Sequence, residues 1–187
     1  MSKQTVDIGT SANDGTGSPI RTAFTMCNDN FTELYSSGTT ALAFKIGGTD
    51  FADSLIVGHS TTGTLSAASF NTALGIGAMD AITSGDYTVA IGYKAGTLLT
   101  LGVQNTLVGA NAGAALTSGH YNVAIGTNAL NAEDTHGFNV AIGRSALYAQ
   151  NAGADAYNVA IGYFAGVSVS TGIKNILVGG LAGDALT

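Results

Sequence analysis

Asn122-Val-Ala-Ile-Gly126, Asn139-Val-Ala-Ile-Gly143 and Asn158-Val-Ala-Ile-Gly162 are one pentapeptide written three times. Thr88-Val-Ala-Ile-Gly92, Asn105-Thr-Leu-Val-Gly109, Asn175-Ile-Leu-Val-Gly179, Asn71-Thr-Ala-Leu-Gly75 and Ser54-Leu-Ile-Val-Gly58 are variants of it. The closing glycines stand at 58, 75, 92, 109, 126, 143, 162 and 179, a spacing of 17 broken once by 19. A fixed period of this length is the signature of a stacked repeat, in which one unit cannot bury its apolar face alone.

Columns counted from the glycine give the chemistry of one coil. The residue before it is always aliphatic: Val57, Leu74, Ile91, Val108, Ile125, Ile142, Ile161 and Val178. With Asn, apolar, Ala, apolar, Gly as the pattern, a period of two buries one face of a strand. The larger aliphatics are expected to face inward, with the alanine face covered at close range by something else. Three positions after the glycine a small residue recurs, and seven after it an apolar one such as Leu99 or Leu116. Glu133 and Gln150 break that second column. Turn signals such as Thr117-Ser-Gly119 close the unit. Each unit thus reads as a strand, a glycine turn, a second short strand and a Thr/Ser-Gly turn.

The predicted fold is an all-β β-solenoid (β-roll) of about eight 17-residue coils over 54–187. Coils stacked about 4.8 Å apart would build a rod on the order of 40 Å long. Stacking would also align asparagines four before the glycine and aromatics five before it (Phe70, Tyr87, Tyr121, Phe138 and Tyr157) into ladders. These are read as structural, with a glycan-binding aromatic track as the competing reading.

Composition agrees with a repeat protein that hides much of its surface. Of 187 residues 27 are glycine, 45% are apolar and only 10% are charged; a typical soluble domain has about 25% charged. So little charge suits a chain that buries surface against copies of itself. The net charge of −6 and six scattered basic residues give no footprint for nucleic acid. The one cysteine, Cys27, excludes an internal disulfide framework. No stretch is apolar enough for membrane insertion, and no charged-then-apolar leader opens the chain.

Residues 1–38 lack the repeat. Asn13-Asp-Gly-Thr-Gly17 is a turn cluster, Ser18 suits an N-cap and Pro19 suits the first helical position. Ile20, Phe24, Cys27, Phe31 and Leu34 follow at spacings of 4, 3, 4 and 3, a heptad seam over about two heptads. A helix ending near Tyr35 is predicted. It is too short to stand alone in water, so this seam is read as a trimerisation or attachment element. Residues 39–53 read as a transition.

Two resemblances follow. The Asn-Val-Ala-Ile-Gly-x-x-Ala unit resembles the head repeat of trimeric autotransporter adhesins, whose shorter repeat forms β-rolls packed about a three-fold axis. Asn13-Asp-Gly-Thr-Gly-Ser-Pro-Ile-Arg-Thr-Ala-Phe24 with Asn28-Asp-Asn-Phe-Thr-Glu-Leu-Tyr35 resembles the N-terminal segment of tail-fibre-like virion structural proteins of tailed bacteriophages, those of cyanophages above all. The second resemblance implies a virion location. It also implies a homotrimeric fibre or fibre adaptor, attached to other virion proteins by its N-terminal part and displaying a β-solenoid stalk.

Enzyme readings find little in the residues. Ile91-Gly-Tyr-Lys-Ala-Gly96 fits one hexapeptide of a left-handed β-helix acyltransferase, which needs three per coil and a histidine base. His59, His120 and His136 read instead as surface histidines. A polysaccharide-cleaving β-helix needs paired carboxylates, and only Glu133, Asp134 and Asp155 gather. These, with His136, are read as solvated turns and contact points for a host glycan or protein, the alternative function being an adhesin module. No catalytic residue, metal ligand or cofactor is expected.

Overall fold

The computed structural model describes residues 44–46 by their backbone, and 54–57 and 67–186 in full. All belong to one compact unit, Leu42–Thr187. The helix predicted over the Ile20–Leu34 seam lies outside the described residues, among which there is no helix.

Nine three-residue strands form one sheet in chain order: β1 Phe44–Ile46, β2 Leu55–Val57, β3 Thr72–Leu74, β4 Val89–Ile91, β5 Thr106–Val108, β6 Val123–Ile125, β7 Val140–Ile142, β8 Val159–Ile161 and β9 Ile176–Val178. From β2 to β9 every pairing is parallel and holds each repeat column opposite itself, as in Ala124 against Ala141. The protein is therefore a parallel β-solenoid of about seven turns. At one edge β1 runs antiparallel to β2, Lys45 opposite Ile56, which occupies the hydrogen-bonding edge of the first coil.

Among the described residues the second strand expected in each coil does not form. The return half of the coil is irregular, but it stacks through backbone bonds to the next coil, such as Met79 N–H to Ala95 O (3.0 Å) and Gly96 N–H to Ala112 O (2.9 Å). The closing glycine is required by this stacking. Gly126 has φ +132, and a Cβ on it would stand 2.5 Å from the carbonyl oxygen of Gly143 in the next coil.

The buried face of the sheet is the reverse of the one expected. Ala90, Leu107, Ala124, Ala141 and Ala160, two before the glycine, are fully buried. Leu74, Ile91, Val108, Ile125, Ile142, Ile161 and Val178 point outward, with Ile91 and Ile125 each 37% exposed. Of the residues expected in the core, only Val57, in the first coil, is buried. The asparagine column decides the parity. Asn105, Asn122, Asn139 and Asn158 are buried, and a period of two puts the residue two further on, the alanine, on the same side. A 17-residue coil has a narrow interior, and the return half fills it with Ile82, Leu99, Leu116 and the small Ala78, Ala95, Ala112 and Ala129. Alanine is the residue that fits what remains.

Each buried asparagine latches two coils. The Asn105 amide donates to Gly119 O (2.8 Å) within its own coil and accepts the Asn122 N–H of the next (2.9 Å). Asn122 repeats this on His136 O (3.2 Å) and the Asn139 N–H (3.1 Å). These bonds satisfy backbone groups that the short strands leave unpaired.

Candidate functional site

Two surfaces stand out from the regular coil: the outward face of the sheet and one pair of neighbouring turns. The first follows from the reversed parity. The residues five, three and one before the glycine, with the one after it, all lie on the outer side. They form a face four columns wide over the seven coils from β3 to β9. Of those 28 positions (seven by four), only Arg144 and Lys174 are charged. The central columns are Val, Ile, Leu and Thr; Tyr93 and Tyr163 lie at one edge and the aromatic column at the other.

The aromatic column sits at positive φ, Tyr121 at 57° and Phe138 at 62°. That backbone is uphill for a bulky residue, and Gln104 (φ 55) and Lys174 (φ 60) share it in the same column, so the coil geometry imposes it. Phe70 stacks on Tyr87 at 4.8 Å, Tyr121 on Phe138 at 5.0 Å and Phe138 on Tyr157 at 4.8 Å. Gln104 interrupts the series. Because the rings cover one another's faces, the column presents edges outward, and a sugar would need the faces. Arg144 lies over the neighbouring coil's Tyr163 and Phe164 rings at 5.8 and 5.4 Å.

The second surface comprises the turns at 131–137 and 149–156. In regular coils a threonine hydroxyl bonds the corresponding carbonyl of the next coil: Thr83 on Thr100, Thr100 on Thr117, and Thr117 on Asp134, each at 3.0 Å. The threonine column ends there. Glu133 and Gln150 then replace the buried aliphatic of the Leu116 and Val169 column, stacked in adjacent coils and fully buried. Their polar ends serve the altered turns. Glu133 Oε1 accepts the His136 N–H at 3.1 Å, and Gln150 Oε1 accepts from the Asn158 amide at 2.9 Å. Glu133 Oε2 and Gln150 Nε2 have no hydrogen-bond partner. Burial pushes the Glu133 carboxyl above its ordinary range, against the opposing pull of the His136 and Ala152 backbone N–H groups and the His136 ring.

Glu133 is thus not part of a solvated turn; it belongs to the interior. Asp134 and His136 are half-buried and Asp155 is exposed. The structure gathers Glu133, Asp134 and His136, whose carboxylate and imidazole atoms lie within 4.8 Å of one another. They are already engaged locally: Thr135 Oγ1 donates to Asp134 Oδ1 (3.0 Å) and stands 3.1 Å from His136 Nδ1, itself 3.4 Å from Glu133 Oε1. Glu133 Oε1, Asp134 Oδ1 and His136 Nδ1 thus serve the turn, while Glu133 Oε2 is left without a partner. Asp155 does likewise, its Oδ1 accepting the Gly137 N–H of the preceding coil (3.0 Å), while Gly153 and Ala154 bulge outward where the two extra residues of the 19-residue spacing fall. The breaks at 133 and 150 in the apolar column were the sequence signal for this inlay, and only burial shows its role.

The seam residues Ile20, Phe24, Cys27, Phe31 and Leu34 and the histidine His59 lie outside the described residues. No protein-family model, curated protein or solved structure matches this chain.

Proposed function

We propose that this protein is a structural rod: a homotrimeric fibre or fibre-adaptor component of a phage virion appendage, attached through its N-terminal part, with the solenoid as stalk. The observation that carries self-association is the outward apolar face. A face this poor in charge exceeds what an isolated soluble rod exposes. Burying it against copies of the chain accounts for the 10% charge content. The buried asparagine column and the threonine column are engaged in holding backbone from coil to coil, which supports a mechanical role. His120 Nδ1 accepts the Val103 N–H at 3.1 Å, and His136 Nδ1 lies against Thr135 Oγ1 and Glu133 Oε1, so both histidines serve their own turns.

The virion placement rests on the Asn13–Tyr35 resemblance. Sedimentation of the purified chain tests the assembly: close to three times 18.6 kDa is expected, and a concentration-independent monomer would overturn it. Immunogold labelling of the intact particle tests the placement, an unlabelled particle overturning it.

A further inference from the structure

Glu133 occupies a position that regular coils fill with a buried aliphatic: Ile82, Leu99, Leu116 or Val169. Packing therefore does not require a carboxyl there, and an ionised one without a partner is costly in a closed interior. Its carboxylate faces the turn at 131–137, where Asp134 and His136 are half-buried. One ligating atom from each of the three lies within 4.8 Å of the others. The group is rich in acceptors. Thr135 has a single hydroxyl proton for Asp134 Oδ1 at 3.0 Å and His136 Nδ1 at 3.1 Å. Glu133 Oε1 accepts one backbone N–H, from His136 at 3.1 Å, and Oε2 accepts none. Gln150 Nε2, a donor in the adjacent coil, is also unpartnered, and the two do not bond to each other. Neither turn of this surface, 131–137 or 149–156, holds a lysine or arginine to balance the carboxylates.

We propose that Glu133, Asp134 and His136 bind one divalent transition-metal ion, zinc or cobalt in type, with solvent completing its coordination. Two ligands about 2.0–2.1 Å from a tetrahedral ion stand roughly 3.3–3.4 Å apart. Glu133 Oε1 and His136 Nδ1 already have that separation, 3.4 Å. Asp134 closes the remaining distance by rotating its side chain away from Thr135. An imidazole beside two carboxylates favours zinc-like ions over calcium and magnesium, which take oxygen ligands. The charge of the ion offsets that of the buried carboxylate. It also ties down the turn at which the threonine column ends, where the last bond of the series runs from Thr117 Oγ1 to Asp134 O (3.0 Å). The site lies within one chain, so it does not depend on how the rods associate.

Titration of the purified full chain tests the site, in a Cys27→Ser background so that no thiolate competes. The protein is stripped with EDTA, dialysed, and titrated with Co2+ while its visible d–d absorption is followed. One Co2+ per chain is expected, displaced by Zn2+ and not by Ca2+. Zn2+ at about a hundredfold of its dissociation constant should raise the melting temperature by about 5–10 °C. Glu133→Gln and His136→Ala should each weaken binding at least about tenfold and lose that rise, while His120→Ala leaves binding unchanged. Melting curves without metal establish that each variant folds, and Asp134→Asn carries the same expectation should Glu133→Gln not fold. Undiminished binding in Glu133→Gln or Asp134→Asn assigns the ion to histidines alone and overturns the site. Ca2+ binding as tight as Zn2+ removes the imidazole from the ligand set and overturns it too. No binding at all also overturns it, and returns Glu133 Oε2 to Gln150 or a buried water.

Discussion

Leu107 occupies a sheet position that is alanine in five of the seven coils from β3 to β9, and the room for it comes from two glycines. A Cβ on Gly96 would stand 2.6 Å from Leu107 Cδ1, and one on Gly113 2.9 Å from Leu107 Cδ2. Leu177 stands in the same relation to Gly166 and Gly183, each 2.8 Å from it on the same construction. Where the sheet position is alanine, the position of Gly113 can be large: the Ala73 coil carries Met79 there, fully buried at φ 54, close to the φ 57 of Gly113. Leu107→Ala should therefore cost about 3–5 kcal/mol, because glycine neighbours cannot collapse into the cavity. For a chain of this size that lowers the melting temperature by roughly 6–20 °C. Gly113→Met alone overpacks the coil by about 1–3 kcal/mol, with about 1 kcal/mol more for placing a side chain at positive φ. Together they rebuild the Ala73–Met79 arrangement, and the double variant should be more stable than Leu107→Ala alone, with a favourable coupling of about 2–3 kcal/mol. Thermal and urea unfolding followed by circular dichroism measure all four proteins. Strict additivity would refute the volume exchange and with it the description of the interior as filled alternately from sheet and turn.

Asn122→Ala removes the acceptor of the buried Asn139 N–H and the donor to His136 O; about 2–4 kcal/mol should be lost in urea unfolding, and a loss below 0.5 kcal/mol would mean water replaces the latch. Ile125→Asp places a charge on the outward face, so the β-sheet dichroism of the chain should survive while sedimentation shifts from trimer to monomer; unfolding instead would return Ile125 to the interior. Glu133, raised by burial, keeps its proton in the fold at pH values where the unfolded chain has lost it, so it lowers stability as pH climbs from about 4, glutamate's ordinary value, towards its raised folded value. Glu133→Gln keeps an acceptor for the His136 N–H and should abolish that decline, seen as a urea midpoint that no longer falls across the window; an unchanged decline would assign it to another group.

The period of 17, the closing glycines and the single 19-residue interval were legible without coordinates, because stacking repeats one local requirement in every coil. Gly126 shows why: a Cβ there would strike the next coil wherever that coil places its own glycine. The asparagine and aromatic ladders followed from the same register. Which face of the strand is interior was not legible. Composition favours Ile125 over Ala124 for a core, and a period of two states only that the two point apart. The choice was made by the buried asparagine latch and by the volume that Leu99, Leu116 and Leu130 take up from the return half, contacts between residues many positions apart. The same holds at Glu133, whose sequence neighbours Asp134 and His136 suggest a wet turn. Its carboxyl is instead enclosed by packing from the adjacent coil, and that enclosure turns an acidic contact residue into part of the interior.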